Sequence, residues 1–282
     1  AAGAAAVLSR GRVSGRARGR VGLPREGGTV EADVATLRLV RETSAAEQDN
    51  EFLTLEEQLQ AFRELDMGNW PDIDARISDL RLDGESAGSW RFKLRPEPYR
   101  LRVQEVEGRL GSLVLSGDMT WSIVDDRETT RFTGKLEGGA LKDLEALTGS
   151  TIPMTNEETA VELDLDWPGS PNNISLSKIS GTVSARLDDG MIMEQSNSAQ
   201  LFRIFNLLNT DTLWRRLRLD FSDLYERGVA FDAISGKANI INGLVTMDPE
   251  LQLVGPSGAF KLSGNTNMAE ETLDMSLVLV LP

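Results

Sequence analysis

The 282-residue sequence contains no cysteine and no histidine. Without cysteine there is no disulfide framework, no thiol nucleophile, and no thiolate to hold zinc or an iron–sulfur cluster. Without histidine, the usual base for a serine nucleophile and the usual near-neutral proton shuttle are missing. Any chemistry would rest on carboxylates, lysine, tyrosine and serine. Lack of cysteine suits a cytoplasmic and a periplasmic protein equally. No run approaches the roughly 18 apolar residues of a membrane span, and the Ala-rich residues 1–8 are too short and wrongly flanked for a signal peptide. The chain starts without Met and in mid-pattern, so it reads as a fragment of a longer polypeptide. Positive charge is also scarce, the net charge being −14. Phosphates would be repelled, which excludes nucleic-acid binding by bulk electrostatics. Arg10, Arg12, Arg16, Arg18 and Arg20 stand apart in a stretch without acids. Such an Arg/Gly run could suggest RNA, but Val13, Ala17 and Val21 fit an edge strand with a basic face better.

What the sequence has in abundance is alternation. From Ser112 to Ile123 the odd positions are Leu113, Leu115, Gly117, Met119, Trp121 and Ile123, and only Val114 breaks the polar even set. That is the period of a half-buried strand. Trp90/Phe92/Leu94, Phe132/Gly134/Leu136, Val161/Leu163/Leu165/Trp167 and Val183/Ala185/Leu187 repeat it, as do Leu217/Leu219/Phe221 and Leu273/Met275/Leu277/Leu279/Leu281. Turn signals separate the runs: Asp83-Gly84, Asp125-Asp126, Gly138-Gly139, Pro168 to Asn173, Asp189-Gly190, Asn242-Gly243 and Pro256 to Gly258. Short alternating strands joined by tight turns predict an antiparallel meander, continuous over 1–282. Three segments have helical spacing instead: Thr54–Asp66, with a Thr54/Glu57 capping box, Gly139–Thr148, and Gln195–Thr210. The expected fold is therefore mainly β, with two or three short amphipathic helices at the ends or lips of a long sheet.

Motifs for catalysis are weak. Gly84-Glu85-Ser86-Ala87-Gly88 has the nucleophile-elbow pattern, yet it lies between two strand patterns in a chain without histidine. Ser175-Leu176-Ser177-Lys178 matches Ser-x-x-Lys, which needs a helical turn where the context alternates. Glu162, Asp164 and Asp166 form an acidic row that could hold a cation or act as an acid/base pair; a solvated outer face opposite Val161, Leu163 and Leu165 is the simpler reading. No enzyme, metal or cofactor is expected. The informative feature is the apolar face, which must be covered. The sheet can close as a barrel or sandwich, or curl and leave a trough for a ligand. Alternation alone does not choose between them.

The C-terminal third bears on that choice. A leucine-rich Asn206-Leu207-Leu208-Asn209 leads into Arg215-Arg216-Leu217-Arg218-Leu219-Asp220-Phe221-Ser222-Asp223-Leu224, then Gly228-Val229-Ala230-Phe231-Asp232-Ala233-Ile234-Ser235-Gly236. With Gly255-Pro256-Ser257-Gly258 and the closing Leu-Val-Leu-Val-Leu-Pro, this resembles the YhdP branch of the AsmA-like proteins, specifically over 160–282 and more loosely over 70–160. The resemblance implies a long curled antiparallel sheet with an apolar groove, in a periplasmic protein held to the inner membrane by an N-terminal anchor outside this chain. It implies phospholipid transport between inner and outer membrane, with phospholipid acyl chains as the bound partner. An outer-membrane or other envelope partner near the C-terminus would fit the same reading.

On this reading the groove is lined by Trp90, Phe92, Leu113, Leu115, Met119, Trp121, Phe132, Leu163, Leu165, Val183, Leu217, Leu219, Phe221, Leu277 and Leu279. Arg215, Arg216 and Arg218 either meet a phosphate headgroup or pair with Asp220 and Asp223 to fix the preceding helix. The alternative function is a closed structural or assembly-assisting envelope β-domain that binds other proteins. A hydrolase using the acidic row would need a pocket with two inward carboxylates.

Overall fold

The computed structural model describes residues 3–10, 13–22, 28–41, 67–124, 127–149, 151–171, 174–193, 228–256, 258–270 and 272–280. The chain builds one sheet of sixteen strands. They are β1 (Gly3–Arg10), β2 (Val13–Gly22), β3 (Val30–Arg41), β4 (Ile73–Ile77), β5 (Leu80–Leu82), β6 (Glu85–Ser86), β7 (Ser89–Glu97) and β8 (Arg100–Leu110). They continue with β9 (Leu113–Val124), β10 (Arg127–Gly138), β11 (Met154–Pro168), β12 (Ser180–Ile192), β13 (Val229–Ile241), β14 (Leu244–Gly255), β15 (Gly258–Asn267) and β16 (Thr272–Val280). Their order is β1-β2-β3-β4-β7 and then sequentially to β16, with β5 beside β3 and β6. The path does not return on itself, so the sheet is open.

Two expectations need correcting. The sheet is mixed rather than antiparallel, because β3 pairs in parallel with β4 and β5. The long connection 42–72 returns the chain to the end at which β3 began, which is what a parallel pair requires. The Arg/Gly strand β2 is also not an edge, since β1 pairs outside it. Of the three expected helices, Thr54–Asp66 and Gln195–Thr210 lie outside the described residues. The Gly139–Thr148 segment forms a 3-10 turn (Leu141–Leu144) and then a single helical turn, α1 (Glu145–Thr148). Gly149 ends it at φ 71, its N–H donating to the Glu145 carbonyl. Apart from the 3-10 turn Met67–Asn69, this is the helical structure among the described residues.

Turn chemistry follows the sequence at Asp83-Gly84 and Asn242-Gly243, where both residues have positive φ as a two-residue hairpin demands. Asp189-Gly190, expected as a turn, lies inside β12. Asp189 takes φ 50 without any shift in the registers of β12 with β11 and β13, so the strand continues to Ile192. Glu105, at φ 50 in β8, is different: the register shifts between Val103 and Val106, and β8 carries an extra residue there. At Gly88, φ is 80 and a Cβ would lie 1.8 Å from the Arg109 carbonyl oxygen. Gly88→Ala should therefore lower stability by more than about 1 kcal/mol, read as a reduced denaturant midpoint at unchanged slope.

Candidate functional site

Directly opposed residues in a sheet share a face, so the registers carry side chains from strand to strand. Trp90 opposes Gly108, Gly108 opposes Leu115, and Leu115 opposes Leu136. Leu136 then opposes Val161, Val161 opposes Ala185, and Ala185 opposes Gly236. A second row runs Leu94, Val103, Met119, Phe132, Leu165, Gly181, Ile240 and Val245. A third runs Gly134, Leu163, Val183, Ala238, Met247, Gly264 and Met275. On β15 and β16, Phe260 opposes Leu279 and Leu262 opposes Leu277. Trp90, Phe92, Leu113, Leu115, Met119, Trp121, Phe132, Leu163, Leu165, Val183, Leu277 and Leu279 thus occupy one continuous face. Leu217, Leu219, Phe221, Arg215, Arg216 and Arg218 lie outside the described residues.

The bulge in β8 keeps this face apolar: Val103 and Val106 are three apart, and the extra residue restores the parity that strict alternation would lose. In β12, Leu187 and Ile192 differ in parity yet meet in one buried cluster, with no shift of register against β13. The opposite face carries cross-strand ion pairs: Lys93–Glu105 at 2.6 Å, Arg95–Asp74 at 2.7 Å, Lys261–Glu250 at 2.7 Å, and Arg91–Glu107. The acidic row belongs here, with Lys135–Glu162 and Arg131–Asp164 both at 2.8 Å. Hydrogen bonding to Lys135 and its charge hold the Glu162 carboxyl below its ordinary range and push Lys135 up. Exposed pairs of this kind set register more than they add stability.

Burial along the apolar face is uneven. Three buried clusters lie on it: around Leu187, Ile192, Phe231 and Leu253; around Ile77, Leu80 and Ala87; and around Ile179, Ile240 and Val245. Between them Leu115, Met119, Phe132, Leu163, Leu165 and Val183 are only half-buried, and Leu277 is 37% exposed. Leu113, at 0% exposure, is packing and is closed to any ligand. Trp90 and Phe92 flank the second cluster.

The two strand ends differ. At one, the 3-10 turn closes over the face: Leu141 packs on the Phe231 cluster. Buried Asn156 accepts from Leu141 N–H at 2.9 Å and donates to Thr159 Oγ1 at 2.8 Å, and Thr159 donates to the Gly139 carbonyl at 2.7 Å. The other end consists of the β7–β8, β9–β10 and β13–β14 hairpins and the β11–β12 connection. Here Trp121 Nε1 donates to Glu128 Oε1 at 2.7 Å, Trp167 Nε1 to the Ser170 carbonyl at 3.1 Å, and buried Thr130 to the Gly169 carbonyl at 2.7 Å.

Glu128, Asn156 and Thr159 are absent from the sequence-derived set. Glu128 shares parity with Phe132 and could have been found by extending that run backwards. Asn156 could not, because the local irregularity in β11 sets its direction. Glu128 is 7% exposed, and burial pushes its carboxyl up, offset in part by the Trp121 hydrogen bond. Its ionised form is thus penalised in the folded state: nothing is lost below the ordinary glutamate range, and the penalty is complete above the raised value. Glu128→Gln keeps an acceptor for Trp121. It should raise the melting temperature by a few degrees at neutral pH, with the gain shrinking as pH falls toward the ordinary glutamate value. Thermal melts across that range check this.

The two motif matches are structural. In Gly84–Gly88, Gly84 turns the β5–β6 hairpin and Ser86 donates to Asp79 at 3.2 Å. Ser175–Lys178 is a turn rather than the extended run its alternation suggests, with Lys178 N–H donating to the Ser175 carbonyl at 3.0 Å. The Ser175 hydroxyl pairs with that of Ser177.

Among known proteins, a family model described as YhdP protein matches residues 12–282. A curated relative from Escherichia coli (strain K12), named intermembrane phospholipid transporter YhdP, is 27% identical over 210 residues. The match covers 74% of this chain and 16% of the relative. No solved structure matches.

Proposed function

Because the chain belongs to the YhdP family, we propose that its open apolar face solvates the acyl chains of phospholipids and conducts them between the two membranes of a bacterial envelope. The continuous half-buried apolar face on an open sheet is the observation that carries this reading. The relative's name supports phospholipid as the cargo, and the chain here spans 16% of that relative's length. On this proposal the segment lies in the periplasm, as part of a protein anchored in the inner membrane, and an envelope partner meets it near the C-terminus.

The mechanism needs no catalytic residue and no cofactor. Moving a methylene from water onto the face gains about 0.8 kcal/mol, and neighbouring positions offer nearly the same gain. A chain can therefore shift along the rows without a deep trap. The central strands β9 to β13 are 12 to 15 residues long and span roughly 40–50 Å, long enough for an acyl chain to lie along them. The polar headgroup stays at the strand ends, in water. Half-exposed Leu115, Met119, Phe132, Leu163, Leu165, Val183, Leu277 and Leu279 form the contact surface, with Trp90, Phe92 and Trp121 at its margins.

Solvent extraction and mass spectrometry of the purified 282-residue chain test this proposal. Phospholipid should be recovered with well-folded protein. Folded protein that carries none, even after incubation with phospholipid vesicles, contradicts the proposal.

A further inference from the structure

Of the side chains that the registers place on the apolar face from β7 to β16, Glu128 is the only charged one among the described residues. Every other acid paired across these strands is on the polar face, several within 3 Å of a cation. Among the described residues Glu128 has no such cation. Trp121 holds Oε1 at 2.7 Å, and Oε2 has no hydrogen-bond partner among the described residues. The residue as a whole is nine-tenths buried, while its unpartnered Oε2 is not sealed off, and Gly169 N–H, donating to the Glu128 carbonyl at 2.9 Å, keeps the backbone in place beneath it.

An ionised carboxylate in such a place is costly unless a positive group meets it. The surroundings suggest which one. Glu128 is the second residue of β10, at the hairpin end of the strands. There Trp121 and Trp167 lie with their rings on the apolar face and their N–H groups bonded toward the strand end. Indoles take such positions where an apolar medium meets a wet one. On the proposed function, this is the level at which acyl chains end and a headgroup begins.

We propose that Glu128 and Trp121 form a site for the ammonium group of a zwitterionic phospholipid headgroup, whose acyl chains lie on Met119, Phe132 and Leu165. The free carboxylate oxygen accepts the ammonium N–H groups. The indole adds cation–π attraction and fixes the carboxylate. An anionic headgroup without an ammonium gains nothing here and meets a like charge. This inference rests on the proposed function, and the two can fail separately.

The test incubates the 282-residue chain with vesicles of equal phosphatidylethanolamine and phosphatidylglycerol, then measures the ratio of the two lipids recovered with protein. The wild type should be enriched in phosphatidylethanolamine about fivefold, the factor that about 1 kcal/mol of ammonium contact gives. Glu128→Gln should return the ratio to that of the vesicles, while Glu128→Asp, which keeps the charge, should retain part of the enrichment. A wild type that takes both lipids at the vesicle ratio overturns the inference but leaves the proposed function standing. So does a folded Glu128→Gln variant that keeps the enrichment. A wild type that takes up neither lipid removes both.

Discussion

Replacing Leu163 with arginine should cut the phospholipid recovered with the chain by about tenfold. Leu163 is at the middle of the apolar face, opposed by Gly134 and Val183, and is half-buried. The substitution removes contact with about two methylenes at about 0.8 kcal/mol each, close to a factor of ten in affinity. It also puts a hydrated cation where an acyl chain would rest. The fold should survive, because a half-exposed arginine can lay its stem on the face and reach water with its head. A far-ultraviolet spectrum and a melting temperature near those of the wild type, together with lost lipid, give the expected pattern. An unchanged lipid load in a folded variant counts against the groove.

Phe231→Ala should act in the opposite manner, on the fold and not on the surface. Phe231 is 2% exposed and is the largest side chain of its cluster with Leu187, Ile192 and Leu253. Its ring packs over Gly190, where a Cβ would lie 2.5 Å from Cζ. Truncation there should cost about 3–5 kcal/mol, and a chain of this size should melt roughly 10 °C lower. Differential scanning calorimetry reads this directly. A loss below about 1 kcal/mol would mean that the cluster can collapse onto the cavity, and that the end covered by the 3-10 turn is not packed as described.

Much of this architecture was legible in the sequence, because a face made by parity is written at every second residue. Leu113 to Ile123, Phe132 to Leu136 and Val161 to Trp167 could each be assigned a face from their own alternation. The failures occur where the backbone departs from regular extended geometry. Asp189-Gly190 has turn composition, and nothing local distinguishes a turn from a strand residue at positive φ; cross-strand pairing decides it. The parallel pairing of β3 was hidden for a related reason, since it depends on where the connection 42–72 delivers the chain. The site was legible as a set of apolar positions but not as a gradation. Leu113 and Leu115 read alike, yet one is sealed and the other half-open, because the segment 139–149 covers only one strand end. Glu128 was passed over because a charged residue ends an apolar run when scanned by composition, although its parity matches Phe132.

The central claim is that one face of the sheet, and not the other, solvates acyl chains. A photo-activatable phenylalanine analogue placed at Leu163 on the apolar face, and separately at Glu162 on the ion-paired face, tests this most directly when irradiated in the presence of phospholipid vesicles. The residues are adjacent in sequence, so local mobility and distance from the strand ends are nearly matched. Cross-linked phospholipid, identified by mass spectrometry, should appear at Leu163 and be absent or strongly reduced at Glu162. Equal labelling at the two positions, or labelling at Glu162 alone, would contradict the account.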